Sequence, residues 1–253
     1  MRVRAVLILG ALLLPAVEAA AQAPPRPSVP LPQPDFLFGR PKASAGVRGG
    51  WTFARAGSDW YDFVTSDLTL ENSDFNRPAI GGDLGIALGR RMEAVISVDY
   101  SQATTLSEYR DFVDNQRLPI EQTTQLRQTN VSGGLKYFLT ERGREVSRLA
   151  WVPRTVVPYI GAGGGFLRFE MTQTGDFVDF VDSSVFGDVF RSAGTAPTAH
   201  VFGGVDIRVW RRTYVTVDAR YLWAAGDLGR DWIDFDPIDL TGTRVSAGLN
   251  FVF

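Results

Sequence analysis

The sequence predicts an all-β protein folded as one eight-stranded antiparallel up-and-down barrel. Three observations predict it. Beyond residue 42 the chain carries almost no helix signal, hydrophobic and polar residues alternate with period two in eight separate segments, and the connections between those segments alternate in length. Period two places successive side chains on opposite faces of a strand. An even number of strands, with big connections at one end and both chain termini at the other, suits a closed barrel.

The elements follow in order. Arg2 and Arg4 precede an apolar run from Ala5 to Val17, and Ala19, Ala20 and Ala21 come after it. Charge, then a short apolar stretch, then small residues is the layout of a secretory signal peptide, and the run is too short to span a bilayer. Residues 1–21 are therefore expected to be removed, with cleavage before Gln22, and the protein exported. Residues 22–42 hold 7 of the 14 prolines. That density favours extended polyproline II over helix or sheet, so this stretch reads as a leader before the first strand. Phe36, Leu37 and Phe38 are placed to tuck against the fold behind it.

The barrel is expected over 43–253. Segment one, Ala43 to Arg55, sets Ala45, Val47, Gly49, Trp51 and Phe53 against Ser44, Gly46, Arg48, Gly50 and Thr52. Segment two, Ala79 to Gly89, opposes Ile80, Leu84, Ile86 and Leu88 to Gly81, Asp83, Gly85 and Ala87; segment three, Arg91 to Ser101, opposes Met92, Ala94, Ile96, Val98 and Tyr100 to Glu93, Val95, Ser97 and Asp99. Segment four, roughly Thr124 to Leu139, opposes Val131, Leu135 and Tyr137 to Gln128, Asn130, Ser132 and Lys136. Segment five, Val156 to Glu170, is glycine-rich and ends with Leu167 and Phe169 facing away from Arg168 and Glu170. Segment six, Thr195 to Trp210, opposes Ala199, Val201, Val205, Ile207 and Val209 to His200, Phe202, Asp206 and Arg208. Segment seven, Thr213 to Trp223, opposes Val215, Val217, Ala219, Tyr221 and Trp223 to Thr216, Asp218 and Arg220; segment eight, Thr243 to Phe253, opposes Val245, Ala247, Leu249, Phe251 and Phe253 to Arg244, Ser246, Gly248 and Asn250. Tight turns are expected at Gly89-Arg90-Arg91 and Arg211-Arg212, a moderate connection at 140–155, and long loops at 56–76, 102–122, 171–194 and 224–242.

Composition narrows the function classes. The 253 residues carry a net charge of −2, which gives no reason to expect nucleic acid as a partner. There is no cysteine and one histidine, so a disulfide scaffold, a thiolate metal site and a zinc site are not expected. Of the 26 basic residues only Lys42 and Lys136 are lysine. No apolar run outside the N-terminal segment approaches the roughly 20 residues of a spanning helix.

Alternation alone does not say which face is inside, because a soluble lipocalin-type barrel would read much the same. Three features favour lipid outside. Trp51, Phe53, Tyr100, Phe169, Tyr221 and Trp223 fall on the apolar face at the long-loop ends, and Tyr137, Tyr159, Phe251 and Phe253 at the short-turn ends. Two such girdles are expected where amphipathic rings sit at both bilayer interfaces. The polar face carries Asp83, Glu93, Asp99, Glu170, Asp206 and Asp218 against Arg48, Lys136, Arg168, Arg208, Arg220 and Arg244. Balanced charge of this kind suits a narrow lumen in which every ion is paired, and arginine's planar fork serves such networks better than lysine. Glycine pairs within the segments permit the bending of a small barrel. The expected fold is thus a transmembrane barrel with its lumen filled by side chains.

From about residue 36 to 253 the chain resembles the small eight-stranded outer-membrane barrels of Gram-negative bacteria, the OmpA/OmpX/OmpW type. The most specific local match is Gly248-Leu249-Asn250-Phe251-Val252-Phe253. It is similar to the signal by which the barrel-assembly machinery recognises a last strand, with Gly248, Phe251 and Phe253 as its marks. The resemblance implies an outer-membrane protein with both termini in the periplasm, in contact with outer-membrane lipid and lipopolysaccharide, monomeric and without cofactor. No peptidoglycan-binding domain of the OmpA kind is expected after Phe253.

Candidate chemistry is sparse. His200 has an ordinary pKa near neutrality and is a conceivable general base. The outer-membrane lipid A deacylases place a serine two residues after their histidine, whereas this chain has Phe202 there. His200 is expected to join the lumen network. The long loops hold Asp59, Trp60, Tyr61, Asp62 and Phe63; Asp176, Phe177, Asp179, Phe180 and Asp182; and Asp231, Trp232, Asp234, Phe235, Asp236 and Asp239. Such carboxylates suit divalent cations shared with lipopolysaccharide, though the spacing matches no EF-hand. Arg142, Arg144, Arg148 and Arg154 against Glu141 and Glu145 suit a turn facing anionic head groups. The expected role is structural or interactive at the cell surface, with no enzyme activity. The competing readings are a lipid-modifying hydrolase using His200, and a narrow pore or small-ligand carrier.

Overall fold

The computed structural model describes residues 36–253 apart from 115, 180, 183 and 233, so the expected signal peptide and the expected leader up to residue 35 lie outside the described residues. In chain order the elements are β1 (Ala43–Ala54), α1 (Asp59–Asp67), β2 (Arg77–Ala87), β3 (Met92–Val113), β4 (Pro119–Phe138), β5 (Gly143–Ser147), β6 (Ala150–Pro153), β7 (Val156–Val178), β8 (Val185–Arg208), β9 (Thr213–Gly226), β10 (Ile238–Asp239) and β11 (Gly242–Val252). Eight of the strands close a ring in the order β1-β2-β3-β4-β7-β8-β9-β11, every pair antiparallel, and β11 returns to β1 through Ser44 opposite Val252. Closure leaves no free edge at this level.

The ring is apolar outside and polar inside. Leu84 is 65% exposed, Ile96 62%, Val217 42% and Leu249 39%, while Asp99, Asp206, Lys136 and Arg220 are buried within. A soluble carrier would need the reverse, and an apolar wall continuous around a whole barrel belongs in lipid. Among the described residues no helix is long and apolar enough to cross a membrane.

Four strands outgrow the ring. The last β2–β3 pair is Ala79 with Ser101 and the last β8–β9 pair is Thr198 with Ala224, but β3–β4 pairing continues to Val113 and Pro119, and β7–β8 pairing to Val178 and Val185. The stretches 102–122 and 171–194, read as loops from sequence, are therefore mostly strand. Their alternation is masked because each face mixes polar and apolar residues: Ala103, Ser107, Ile120 and Gln122 point inward, and Thr104, Leu106 and Glu121 outward. The stretch 56–76 likewise contains α1, whose Trp60, Tyr61 and Val64 are buried on one face and whose Asp59 and Asp62 lie in the first turn, where they suit the helix dipole.

Within this extension sits an apolar core. Trp60, Tyr61, Val64, Leu68, Leu70 and Phe75 from the first connection pack with Ile120, Leu126, Leu167, Phe169 and Met171 from the strands and Trp232, Ile238 and Leu240 from the last connection. The rings of Trp60 and Phe75 meet edge to face at 5.8 Å and those of Tyr61 and Phe75 at 4.8 Å, a favoured arrangement. The short-turn end differs. Tight connections at 88–91 and 209–212 flank the β5–β6 hairpin, and Leu37 adds to it, exchanging backbone hydrogen bonds with Trp151 at 2.8 and 3.0 Å. Leu37 is buried, while Phe38 stays exposed.

Candidate functional site

Asp99 of β3 is the centre of the interior. Arg48 of β1 reaches it with Nη2 at 2.6 Å and pairs with Asp83 of β2 through Nη1; Arg244 of β11 reaches Asp99 at 2.9 Å and Arg220 of β9 at 3.6 Å. Ser97 donates to Asp83 at 2.5 Å, Ser246 to Asp218, and Arg244 Nε to Thr52 Oγ1 at 3.0 Å. One carboxylate shared by three guanidinium groups is stable here because the neighbouring acids are bound to the same cluster. Removing one partner of such a buried group costs about 3–5 kcal/mol.

A second cluster lies toward the short turns. Lys136 of β4 meets Asp206 of β8 at 3.0 Å, Thr216 donates to the other oxygen of Asp206 at 2.7 Å, and the ammonium stands 3.6 Å from the centre of the Tyr159 ring. A desolvated ammonium over an aromatic face is attracted by the ring quadrupole. Glu93 accepts from Arg142 at 2.6 Å and from Ser44 at 2.9 Å. Phe138, Val157, Tyr159, Phe202, Tyr214 and Val252 pack around these charges.

Glycines make the room. A Cβ on Gly81 would collide with the Asp99 carboxylate, and one on Gly248 with the Val47 carbonyl and the Arg48 Cα. Gly248 thus faces inward beside Arg48, while Phe251 and Phe253 point outward at the short-turn rim.

Of the residues singled out in the sequence, Arg48, Asp83, Glu93, Asp99, Lys136, Asp206, Asp218, Arg220 and Arg244 face the interior, and Arg208 shares that face at the short-turn rim, half-exposed. Arg168 and Glu170 do not: their side chains are on the outer surface, 68% and 43% exposed, joined to each other at 3.3 Å. Phe169 and Tyr159, expected outside, are buried inside. The β7 facing is fixed by register, with Val131 opposite Phe166 and Arg127 opposite Glu170, so Phe166 takes the outward place expected of Phe169. Trp51, Phe53, Tyr100, Tyr137, Trp223, Phe251 and Phe253 are exposed on the outer wall, and Tyr221 meets Trp223 edge to face at 4.7 Å. Trp210, also exposed outward, escaped the sequence reading, as did Arg142 as a partner of Glu93 and Arg77, buried and bonded to Ser101 Oγ and the Phe75 carbonyl. A basic residue just before a strand was the only signal for Arg77.

His200 is buried, 5.7 Å from the Phe202 ring, and its Nδ1 has no hydrogen-bond partner among the described residues. No metal-binding group of acids and histidine is found among the described residues.

Residues 9–253 match the family model for the outer membrane protein β-barrel domain. The chain belongs to that family. This outer-membrane barrel matches no curated protein. Among solved structures it is similar to Neisserial surface protein A, at 14% identity over 83% of this chain and 96% of that one, with a TM-score of 0.45. It is similar also to the N-terminal β-barrel domain of Pseudomonas aeruginosa OprF, at 14% identity, 84% and 98% coverage and a TM-score of 0.37. A third is the attachment invasion locus protein Ail of Yersinia pestis, at 11% identity, 84% and 99% coverage and a TM-score of 0.44.

Proposed function

We propose that this outer-membrane barrel is a structural and surface-presenting protein with a closed lumen, and not an enzyme or a conduit. The observation that carries the reading is the Asp99 cluster, in which three arginines from three strands converge on one carboxylate across the ring. The cavities left beside it, about 40 Å3 near Asp83 and Asp218 and about 20 Å3 near Gln128 and Arg244, admit a few waters. Ligand sites are roughly 300–1,000 Å3. The apolar core of the strand extension covers the same end.

In this reading a cleaved signal peptide of residues 1–21 exports the chain, the short turns and both termini face the periplasm, and the extended strands stand at the cell surface. The aromatic rings of the outer wall mark the two bilayer interfaces. Arg127, Arg168 and Arg191, outward-facing just beyond Tyr100 and Phe166, suit the phosphates of lipopolysaccharide, and the acidic tips carrying Asp176, Asp179, Asp182 and Asp188 suit divalent cations held with it. β11, with Phe253 directly after it, is the strand offered to the assembly machinery. A closed ring without edges supports a monomer. His200 favours no hydrolase, since it lies inside the barrel, away from the lipid face on which an acyl chain would be presented.

The test is electrical. Wild-type protein in planar bilayers is expected to give no steady single-channel conductance, and a discrete conductance in every insertion would overturn the closed-lumen reading.

A further inference from the structure

The β5–β6 hairpin is larger than the ring needs to join β4 to β7, and it is held in place. Leu37 pairs with Trp151 on its outer edge, Arg142 at its base is anchored to Glu93, and Arg211 donates to the Phe36 carbonyl at 2.8 Å. Beside it opens a pocket of about 560 Å3 whose lining includes Arg91, Leu139, Thr140, Arg144 and Arg154, with Glu141 as its one acid. Leu139 is 46% exposed and continues the outward row of Val131, Leu135 and Tyr137 on β4, so the pocket begins where the apolar wall ends.

The charges here are unlike those of the interior. Arg91, Arg144 and Arg154 have no carboxylate partner among the described residues, whereas Glu141, on the same rim, is directed to Arg90 at 3.9 Å. Thr140 Oγ1, shielded from solvent, also lacks a partner and lines the same pocket. Guanidinium forks match phosphate oxygens geometrically and electrostatically, and Leu139 supplies an apolar wall beside them.

We infer that this pocket seats the head group of an anionic phospholipid of the periplasmic leaflet, its phosphate on Arg91, Arg144 and Arg154 and an acyl chain along Leu139 and Tyr137. The inference rests on the reading that the short-turn end faces the periplasm. It adds a specific lipid contact that would hold the hairpin, and with it Leu37, against the membrane.

The folded protein in detergent is titrated with short-chain phosphatidylglycerol, with phosphatidylcholine of the same chains, and with inorganic phosphate, and bound ligand is counted by native mass spectrometry. A roughly tenfold preference for phosphatidylglycerol is expected, lost in an Arg91→Gln, Arg144→Gln, Arg154→Gln variant and kept in Arg148→Gln at the exposed hairpin tip. Leu139→Ser is expected to weaken phosphatidylglycerol several-fold and to leave phosphate binding as it was. Equal binding by the triple variant and the wild type overturns the inference. So does full competition by inorganic phosphate with no effect of Leu139→Ser, which would mark a small-anion site. Heat-modifiable gel migration is read on each sample: a wild type that shows no folded form refutes the barrel reading itself, a separate failure. Should the triple variant lack the folded form, the three single variants, each expected to lose about half of the preference or more, decide in its place.

Discussion

The ring and the strand extension above it obey opposite rules. In the ring, Ile96 and Val98 of β3 face out and Ser97 and Asp99 face in; on β7, toward the strand extension, Leu167, Phe169 and Met171 face in and Arg168 and Glu170 face out. The strands run through without a break. What changes is the medium outside them: lipid around the ring, water around the extension. Apolar side chains go wherever water is absent, which is outward below the rim and inward above it. The interior then carries two kinds of cohesion, paired ions below and packed rings above.

Three measurements break or sharpen that contrast. The largest effect is expected from Asp99→Ala, which leaves Arg48, Arg220 and Arg244 facing one another without their common carboxylate. The loss should be about 3–5 kcal/mol, read as a shift in urea unfolding of the barrel in lipid. A loss below about 1 kcal/mol would mean that water, not Asp99, screens the arginines. Next comes a matched pair on the outer surface. Val217→Arg on the ring wall should cost about 2–4 kcal/mol in the same assay, and Thr104→Arg on the outward face of the β3 extension close to nothing. Equal costs would place the bilayer elsewhere. The smallest effect is a pH dependence of the extension. Burial pushes the Tyr61 phenol up, offset in part by Arg77, and burial likewise raises Tyr109. Both phenols bind their protons more tightly folded than unfolded, so their contribution is full below pH about 10 and fades as pH rises beyond it. Trp60 and Trp232 fluorescence should report loosening of the extension only above that pH, and phenolate absorbance should appear with the loosening, not before it.

Much of the ring was legible because its signal is local. Val47, Leu84, Ile96, Val217 and Leu249 alternate with polar neighbours, and a period of two read over ten residues needs no knowledge of the partner strand. Segment five misled for an instructive reason. Its glycines, Gly161 and Gly163–165, carry no hydrophobic sign, so facing was judged from Leu167 and Phe169, which already lie above the rim where the sign is reversed. The α1 stripe of Trp60, Tyr61, Val64 and Leu68 is helical in spacing but too short to stand out between acids.

The amino-acid order by itself determined where the ring strands run and that one face of each is apolar, since these depend on neighbours along the chain. Only the tertiary structure decided which acid answers which arginine, because Arg48 and Asp99 are 51 residues apart and Lys136 and Asp206 are 70 apart. It also decided where the facing inverts. An alternating pattern states that two sides differ, but which side is turned inward depends on the surrounding solvent, and that depends on how far each strand stands out of the membrane.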